Sequence, residues 1–345
     1  MADIFVIYYH QILKSWGFDV YYRTFDFEIR YLKSRYRIIT LDDVVEYIDS
    51  GKKPDKPSVA ITFDDGYLSN FVYAYPILKK HKVKATIFPI SSRILKEDII
   101  RPTLEDYWNG KVSFKELHRT PTMAEANLKF LKSGRSEDFL SATELRKITD
   151  IFEIGGHGSV HAKVFYEDKV EDFFDGKNGH WSFIYAYEEE PKLGYPIFPS
   201  RNNLAVKRGF LKREVKDYIN SIDRNFFNQR NWKEKLKEKI YTKFDSLLEF
   251  ETEEEREKRV VEELTSSKKD LEDILGKKIY HFAYPFGHYD DTLVNITSKL
   301  FKSGFTTDKG LVKHWINLHR IPRIAVAKDV FSFFGILFKV KFVYN

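Results

Sequence analysis

The chain has 345 residues, 43% of them hydrophobic and 16% aromatic, enough to bury a large core in one large domain or two ordinary ones, and too apolar for a disordered chain. Its 57 basic and 51 acidic side chains leave a formal net charge of +6, a near-balanced surface from which nucleic-acid binding is not expected. With no cysteine there is no disulfide framework and no thiolate metal site, so any metal must be held by His, Asp or Glu.

The opening Met1–Tyr9 is apolar but short, without a basic flank or a small-residue cleavage site, and reads as a first strand instead of a signal peptide. Phe25–Leu32 looks helical and Tyr36–Ile39 looks like a short strand. Thr40, with Asp43 three residues on, starts a helix that is apolar at Leu41, Val44, Val45 and Ile48 and stops at Gly51. Ser58–Phe63 is a β-branched apolar run of buried-strand length, and it delivers the chain into Asp64-Asp65-Gly66. Pro76 suits a helix start and Lys84–Pro89 is another buried strand, so the order strand, helix, strand predicts a parallel sheet.

The stretch 91–138 lacks a clean period and reads as an insertion, after which Ser141 and Glu144 form a capping box. Phe152–Ile154 then runs as a strand into the Gly155-Gly156-His157 turn. A second insertion, at about 165–256, is aromatic near its start (Trp181, Tyr185, Tyr187, Tyr195, Phe198) and then rich in Lys and Glu. Val260, Leu264, Ser267, Leu271 and Ile274 mark one stripe of a helix ended by Gly276. Ile279–Tyr284 is a strand leading to Pro285-Phe286-Gly287, and 316–327 holds at least one more. No run is long enough to span a membrane; Val330–Val343 is expected to be a buried terminal helix or strand, with a membrane-surface contact as the alternative.

His157 and His161 stand four residues apart, a spacing that brings two imidazoles within reach of one ion, although such pairs also arise by chance. Gly155-Gly156 would free the backbone to turn at a strand end, where α/β proteins build open sites. Asp64 and Asp65 also follow a buried strand. Taken alone they could be an ordinary acidic turn, but two buried carboxylates so close repel unless a cation lies between them. One could then ligate the ion while its neighbour serves as a general base.

These residues resemble the polysaccharide deacetylases with NodB-homology domains. Thr62-Phe63-Asp64-Asp65-Gly66 is similar to that family's first motif, His157-Gly-Ser-Val-His161 to its second, and Tyr284-Pro285-Phe286-Gly287 to its third. Tyr9-His10-Gln11-Ile12, the Thr40 helix start and Arg320-Ile321-Pro322-Arg323-Ile324 are similar to a bacterial branch acting on surface polysaccharides. The resemblance implies an α/β fold, a distorted (β/α)7-type barrel, here a single domain over residues 1–345 with the two long insertions. It implies Asp64 as base, Asp65, His157 and His161 as ligands of one divalent metal, expected to be zinc, and the backbone N–H of Phe286 as a donor to the oxyanion.

The chain departs from the family pattern at Ala283, where many members carry an arginine that orients the base, and at Phe286, where a tyrosine is usual. Arg320 or Arg323 is expected to replace that arginine. The acid that protonates the leaving amine is expected at His319, with His288, His10 and a structural role for His319 as alternatives. Trp181 is a candidate platform for a sugar ring, the alternative being a core role for it and its aromatic neighbours.

The expected reaction is metal-dependent hydrolysis of an N-acetyl group on a sugar or a surface-polysaccharide precursor of the O-antigen or capsule type, with a lipid-linked glycan among the substrates considered. The lack of a recognisable signal peptide points to the cytoplasm, at the inner face of the membrane. Oligomeric state is left open. The alternative function is a non-catalytic carbohydrate-binding protein that kept the fold. A glycoside hydrolase using Asp64 and Asp65 is disfavoured, because such carboxyls must flank the scissile bond about 5 Å or more apart.

Overall fold

A computed structural model describes residues 4–52, 54–326 and 328–344; the expected strand residues Met1–Asp3 and Ala327 lie outside them. The chain divides into one unit of Met1–Ser159 with Glu262–Asn345 and a second of Val160–Val261.

In the first unit the main elements are β1 (Ile4–Tyr9), α1 (Tyr22–Arg35), β2 (Arg37–Ile38), α2 (Leu41–Ser50), β3 (Ser58–Asp65), α3 (Tyr75–His81), β4 (Ala85–Pro89), α4 (Met123–Ser133), α5 (Ala142–Lys147) and β5 (Phe152–Ile154). There follow α6 (Glu253–Leu275), which begins in the second unit, then β6 (His281–Ala283), α7 (Asp291–Leu300), β7 (Ser303–Phe305), β8 (Ile324–Ala325) and α8 (Val330–Phe342). Thr40 caps α2 in a full capping box with Asp43, and Gly51 ends it at φ 67°, a left-handed conformation that costs glycine little.

Seven strands close into a parallel ring. β8, β1, β3, β4 and β5 pair in that order. The ring passes to β6 through the parallel bridge between Gly156 and Phe282, on to β7 by regular pairing, and back towards β8 through the bridge between Phe305 and Ile321. β2 pairs with the first residues of β3, where β4 has not yet begun. This is the α/β, distorted (β/α)7 barrel expected from the motifs, and closing the ring leaves no open edge on β1.

All eight residues of β3 are buried because one face looks inward and the other lies under helices. Phe63, facing outward, meets Phe25 of α1 and Phe152 of β5 edge-on. The inward residues Ala60, Phe88, Ala283 and Phe305 form one cluster with Leu41, Val44, Tyr47 and Ile48 of α2. The α2 helix thereby plugs the N-terminal mouth of the barrel, each large apolar side chain contributing roughly 1.5–3 kcal/mol.

The second unit has its own four-stranded antiparallel sheet, in the order Ser200–Asn202, Lys163–Phe165, Gly209–Leu211, Leu248–Phe250. Tyr187, Tyr195 and Phe198 are buried in its core with Phe165, Leu236 and Ile240. These three take the core role that the sequence offered as the alternative to a sugar-facing one: they hold the unit together.

The expectation of a buried terminal element at Val330–Val343 is also corrected. The segment is the helix α8, which buries Phe333, Leu337 and Val340 and leaves Phe331, Phe338 and Phe342 exposed. Among the described residues no helix is long and apolar enough to cross a membrane.

Candidate active site

β3 carries Asp64 and Asp65 to the C-terminal end of the barrel, both almost wholly buried. Asp64, in step with Ala60 and Thr62, points inward, where Arg323 meets it with both terminal nitrogens at 2.7 and 2.8 Å. The same guanidinium donates to Thr62 Oγ1 and to the carbonyl of Thr306, so its geometry is fixed on three sides. Arg320, the other candidate, pairs instead with Asp291. Burial alone would push the Asp64 carboxyl up; Arg323, helped by His157 and His10, more than reverses this, and the net shift is downward. Asp64 is therefore a carboxylate at neutral pH, the form a base requires.

Asp65 sits at φ 71°, a left-handed conformation costly for a residue with a Cβ. His161 (φ 46°) and Phe286 (φ 56°) share it, which places three of the five such non-glycine residues among those described in the motifs. Asp65 is reached by a chain of donors. Arg93 Nε donates to Asn127 Oδ1, Asn127 Nδ2 to the Tyr67 hydroxyl, and Tyr67 to the Asp65 carboxylate. Asn127 lies on α4, within the stretch that sequence reading treats as an insertion without pattern. A hydrogen-bonded pair that far apart in sequence leaves no periodic signal.

His157 Nδ1 lies 2.7 Å from the carbonyl of Ala283. That bond takes an N–H, so in the neutral ring Nε2 carries the lone pair and faces Asp65 Oδ1 at 3.4 Å. Two electron-pair donors confronting each other are repulsive without a cation. Ligands about 2.0–2.1 Å from a tetrahedral ion are themselves about 3.3–3.4 Å apart, so the spacing fits one. One ligand atom each from Asp65, His157 and His161 lies within 4.8 Å of the others, and all three residues are buried. The donor set, two imidazoles and a carboxylate, suits zinc and neighbouring divalent ions.

The glycines before His157 act differently from the sequence expectation. Neither has a positive φ. A Cβ on Gly155 would lie 2.4 Å from the Phe88 ring and 2.8 Å from the carbonyl oxygen of His281, so glycine is needed there for close approach.

Of the remaining candidates, Trp181 is half-buried, its ring parallel to that of His161 with centroids 6.3 Å apart. Phe286 is half-buried on the turn after β6. His319 is held through its backbone by Tyr284 and Asn317, and burial pushes its imidazole below the ordinary value. His10, at the end of β1, acts electrostatically on Asp64. It also acts on Asp19, a residue the sequence reading passed over. Burial pushes the Asp19 carboxyl up, and His10 together with the amides of Val20 and Gln11 only partly offsets that.

A family model described as polysaccharide deacetylase matches residues 51–169 and 242–302, more than half of the chain. Bacillus subtilis YxkH, which carries the polysaccharide deacetylase name, is 36% identical over 94 residues, 27% of this chain and 34% of that protein. A poly-beta-1,6-N-acetyl-D-glucosamine N-deacetylase of Staphylococcus aureus is 32% identical over 117 residues, 34% of this chain and 39% of that one. The match thus spans between a third and two fifths of these curated relatives. Among solved structures, IcaB from Ammonifex degensii aligns over 97% of this chain and 96% of its own with a TM-score of 0.55 and 17% identity. The Streptococcus pyogenes deacetylase PplD aligns over 98% of both chains with a TM-score of 0.55 and 16% identity. At such identities the likeness speaks to the fold.

Proposed function

The chain belongs to the polysaccharide deacetylase family, and from that premise we propose that it removes the acetyl group from an N-acetylated sugar in a bacterial surface polysaccharide or its precursor. The observation that carries this reading is the buried Asp65, His157 and His161 cluster next to a carboxylate, Asp64, held ionised by Arg323. A divalent ion, for which we propose zinc, would be held by those three residues and would supply a Lewis acid that polarises the acetamide carbonyl and acidifies a water. Asp64 takes the proton of the attacking water. The backbone N–H of Phe286 donates to the oxyanion. As the C–N bond breaks, acetate leaves and the amine takes a proton from a nearby acid.

For that acid we favour His10 over His319, because His10, at the end of β1, stands close enough to Asp64 to act on its carboxyl. Trp181 offers an aromatic face to the sugar, where stacking adds orientation to area burial.

The test is acetate release from N-acetylglucosamine oligomers, with metal content measured on the same samples, for the wild type and for Asp65→Ala, His161→Ala, His10→Asn and His319→Asn. The first two should lose metal and activity together. His10→Asn should keep the metal and lose turnover. Undiminished metal in Asp65→Ala would overturn the ligand assignment, and metal-loaded protein that releases no acetate from any N-acetylated sugar would favour the carbohydrate-binding alternative.

A further inference from the structure

At the other end of the barrel a second set of polar side chains converges. Strand alternation turns Glu153 of β5 and His281 of β6 inward, below the layer of Phe88, Ala283 and Phe305. Asp42, in the first turn of α2, reaches the same place. His281 is fully buried, and its Nε2 lies 3.2 Å from Glu153 Oε1 and 3.5 Å from Asp42 Oδ1. Despite these distances Nε2 makes no hydrogen bond. The ligand atoms of the three residues lie within 4.8 Å of one another.

We propose that Asp42, Glu153 and His281 form a second divalent-cation site, of the zinc type, that pins the α2 plug to the barrel. Three observations converge on it. The separations of 3.2 and 3.5 Å bracket the roughly 3.3–3.4 Å edge of a tetrahedron of nitrogen and oxygen ligands around zinc. The other ring nitrogen, Nδ1, lies 2.8 Å from Ser303 Oγ, on the residue that β6–β7 register places beside His281, which is the orienting partner a ligating imidazole usually has. The third is the donor set itself: two carboxylates face one buried imidazole, with Lys302 at 3.8 Å from Asp42 and Lys84 and Lys277 on the wall of the adjoining cavity.

Access is provided by a cavity of about 280 Å3 whose lining includes Thr40, Lys84, Thr86, Glu153 and Lys277. Glu153 belongs to both the cavity wall and the cluster, so an ion can enter and water can complete its coordination. Thr86 Oγ1, 3.4 Å from Glu153 Oε2, steadies the second carboxylate oxygen. The competing arrangement is a protonated His281 shared between two carboxylates, with no ion. It predicts hydrogen bonds at Nε2, which the geometry does not show.

The inference does not depend on the deacetylase reading, and its test uses metal binding alone. Chelator-stripped full-length protein is titrated with zinc against a chromophoric competitor, and bound zinc is counted by mass spectrometry. Wild type should bind two equivalents, Asp65→Ala one, Asp42→Asn/Glu153→Gln one, and the three substitutions together none. Asp42 is exposed, so Asp42→Asn serves alone if the double variant fails to fold; in an Asp65→Ala background it should weaken the remaining equivalent by about tenfold or more. A single equivalent in the wild type that disappears in Asp65→Ala overturns the second site and leaves the first intact. A single equivalent in the wild type that survives Asp65→Ala and disappears in Asp42→Asn/Glu153→Gln would count against the proposed active site and not against this one.

Discussion

Arg323 grips Asp64 from 259 residues away in sequence, one guanidinium nitrogen on each carboxylate oxygen. Ala283 occupies the position where many family members place the orienting arginine, and here the same charge arrives from the other side of the ring.

Replacing Arg323 with methionine should move the acid limb of the kcat/KM profile upward by about one pH unit or more. Asp64 has a depressed value in the folded state, so its base form, and the stability linked to it, persist above the ordinary carboxylate range and are lost as pH falls through the lowered value. Without Arg323, burial dominates and pushes the carboxyl up. The variant should also lose about 3–5 kcal/mol in urea denaturation, the usual result of stranding one member of a buried pair. An unmoved acid limb would reduce Arg323 to a structural role.

Tyr67→Phe should bind zinc about 10–100 times more weakly while unfolding at nearly the wild-type urea concentration, because it removes one donor to Asp65 and little apolar area. Competition with a chromophoric chelator measures this. Asn127→Leu acts one bond further out and should have a smaller effect of the same sign.

Gly155→Ala should cost about 1–3 kcal/mol, the penalty for forcing a methyl against the Phe88 ring and the His281 carbonyl. At Gly156 the nearest atoms, on Phe301, are 3.2 Å away, so Gly156→Ala should cost less. Equal losses in chemical denaturation would contradict the packing account.

Glu28 is fully buried against the Tyr9 hydroxyl at 3.0 Å, and burial pushes its carboxyl up to about 8. With the folded value above the unfolded 4.5, the folded protein holds a proton that the unfolded chain has given up, so stability should fall as pH rises from about 4.5 to 8. Glu28→Gln should flatten that decline, with a gain on the order of 4 kcal/mol at pH 8 if Glu28 acts alone. Parallel stability curves for the two proteins would rule this out.

Much of the fold could be read in advance, because local chemistry recorded it. The Thr40 and Ser141 capping boxes, the Gly51 stop and the buried run of β3 each carry their signal within a few residues. The motif residues Asp64, Asp65 and His157 were visible for the same reason, each lying at a strand end. What escaped notice depends on distant partners. Asn127 and Arg93 look unremarkable in sequence until α4 packs them behind Tyr67. The role of Gly155 is set by a phenylalanine on another strand, and Val330–Phe342 has too little amphipathic pattern to tell a half-exposed helix from a buried one.

The ring closes only when β8 pairs with β1, Ile324 beside Ile7. During synthesis β1 must therefore wait for β8, whose Ile324 it pairs with. A chain still emerging from the ribosome, with residues up to 320 exposed, has an open strand edge and no guanidinium on Asp64. Until that strand arrives the hazard falls on β1, whose unpaired edge is the segment that chaperones have most reason to cover.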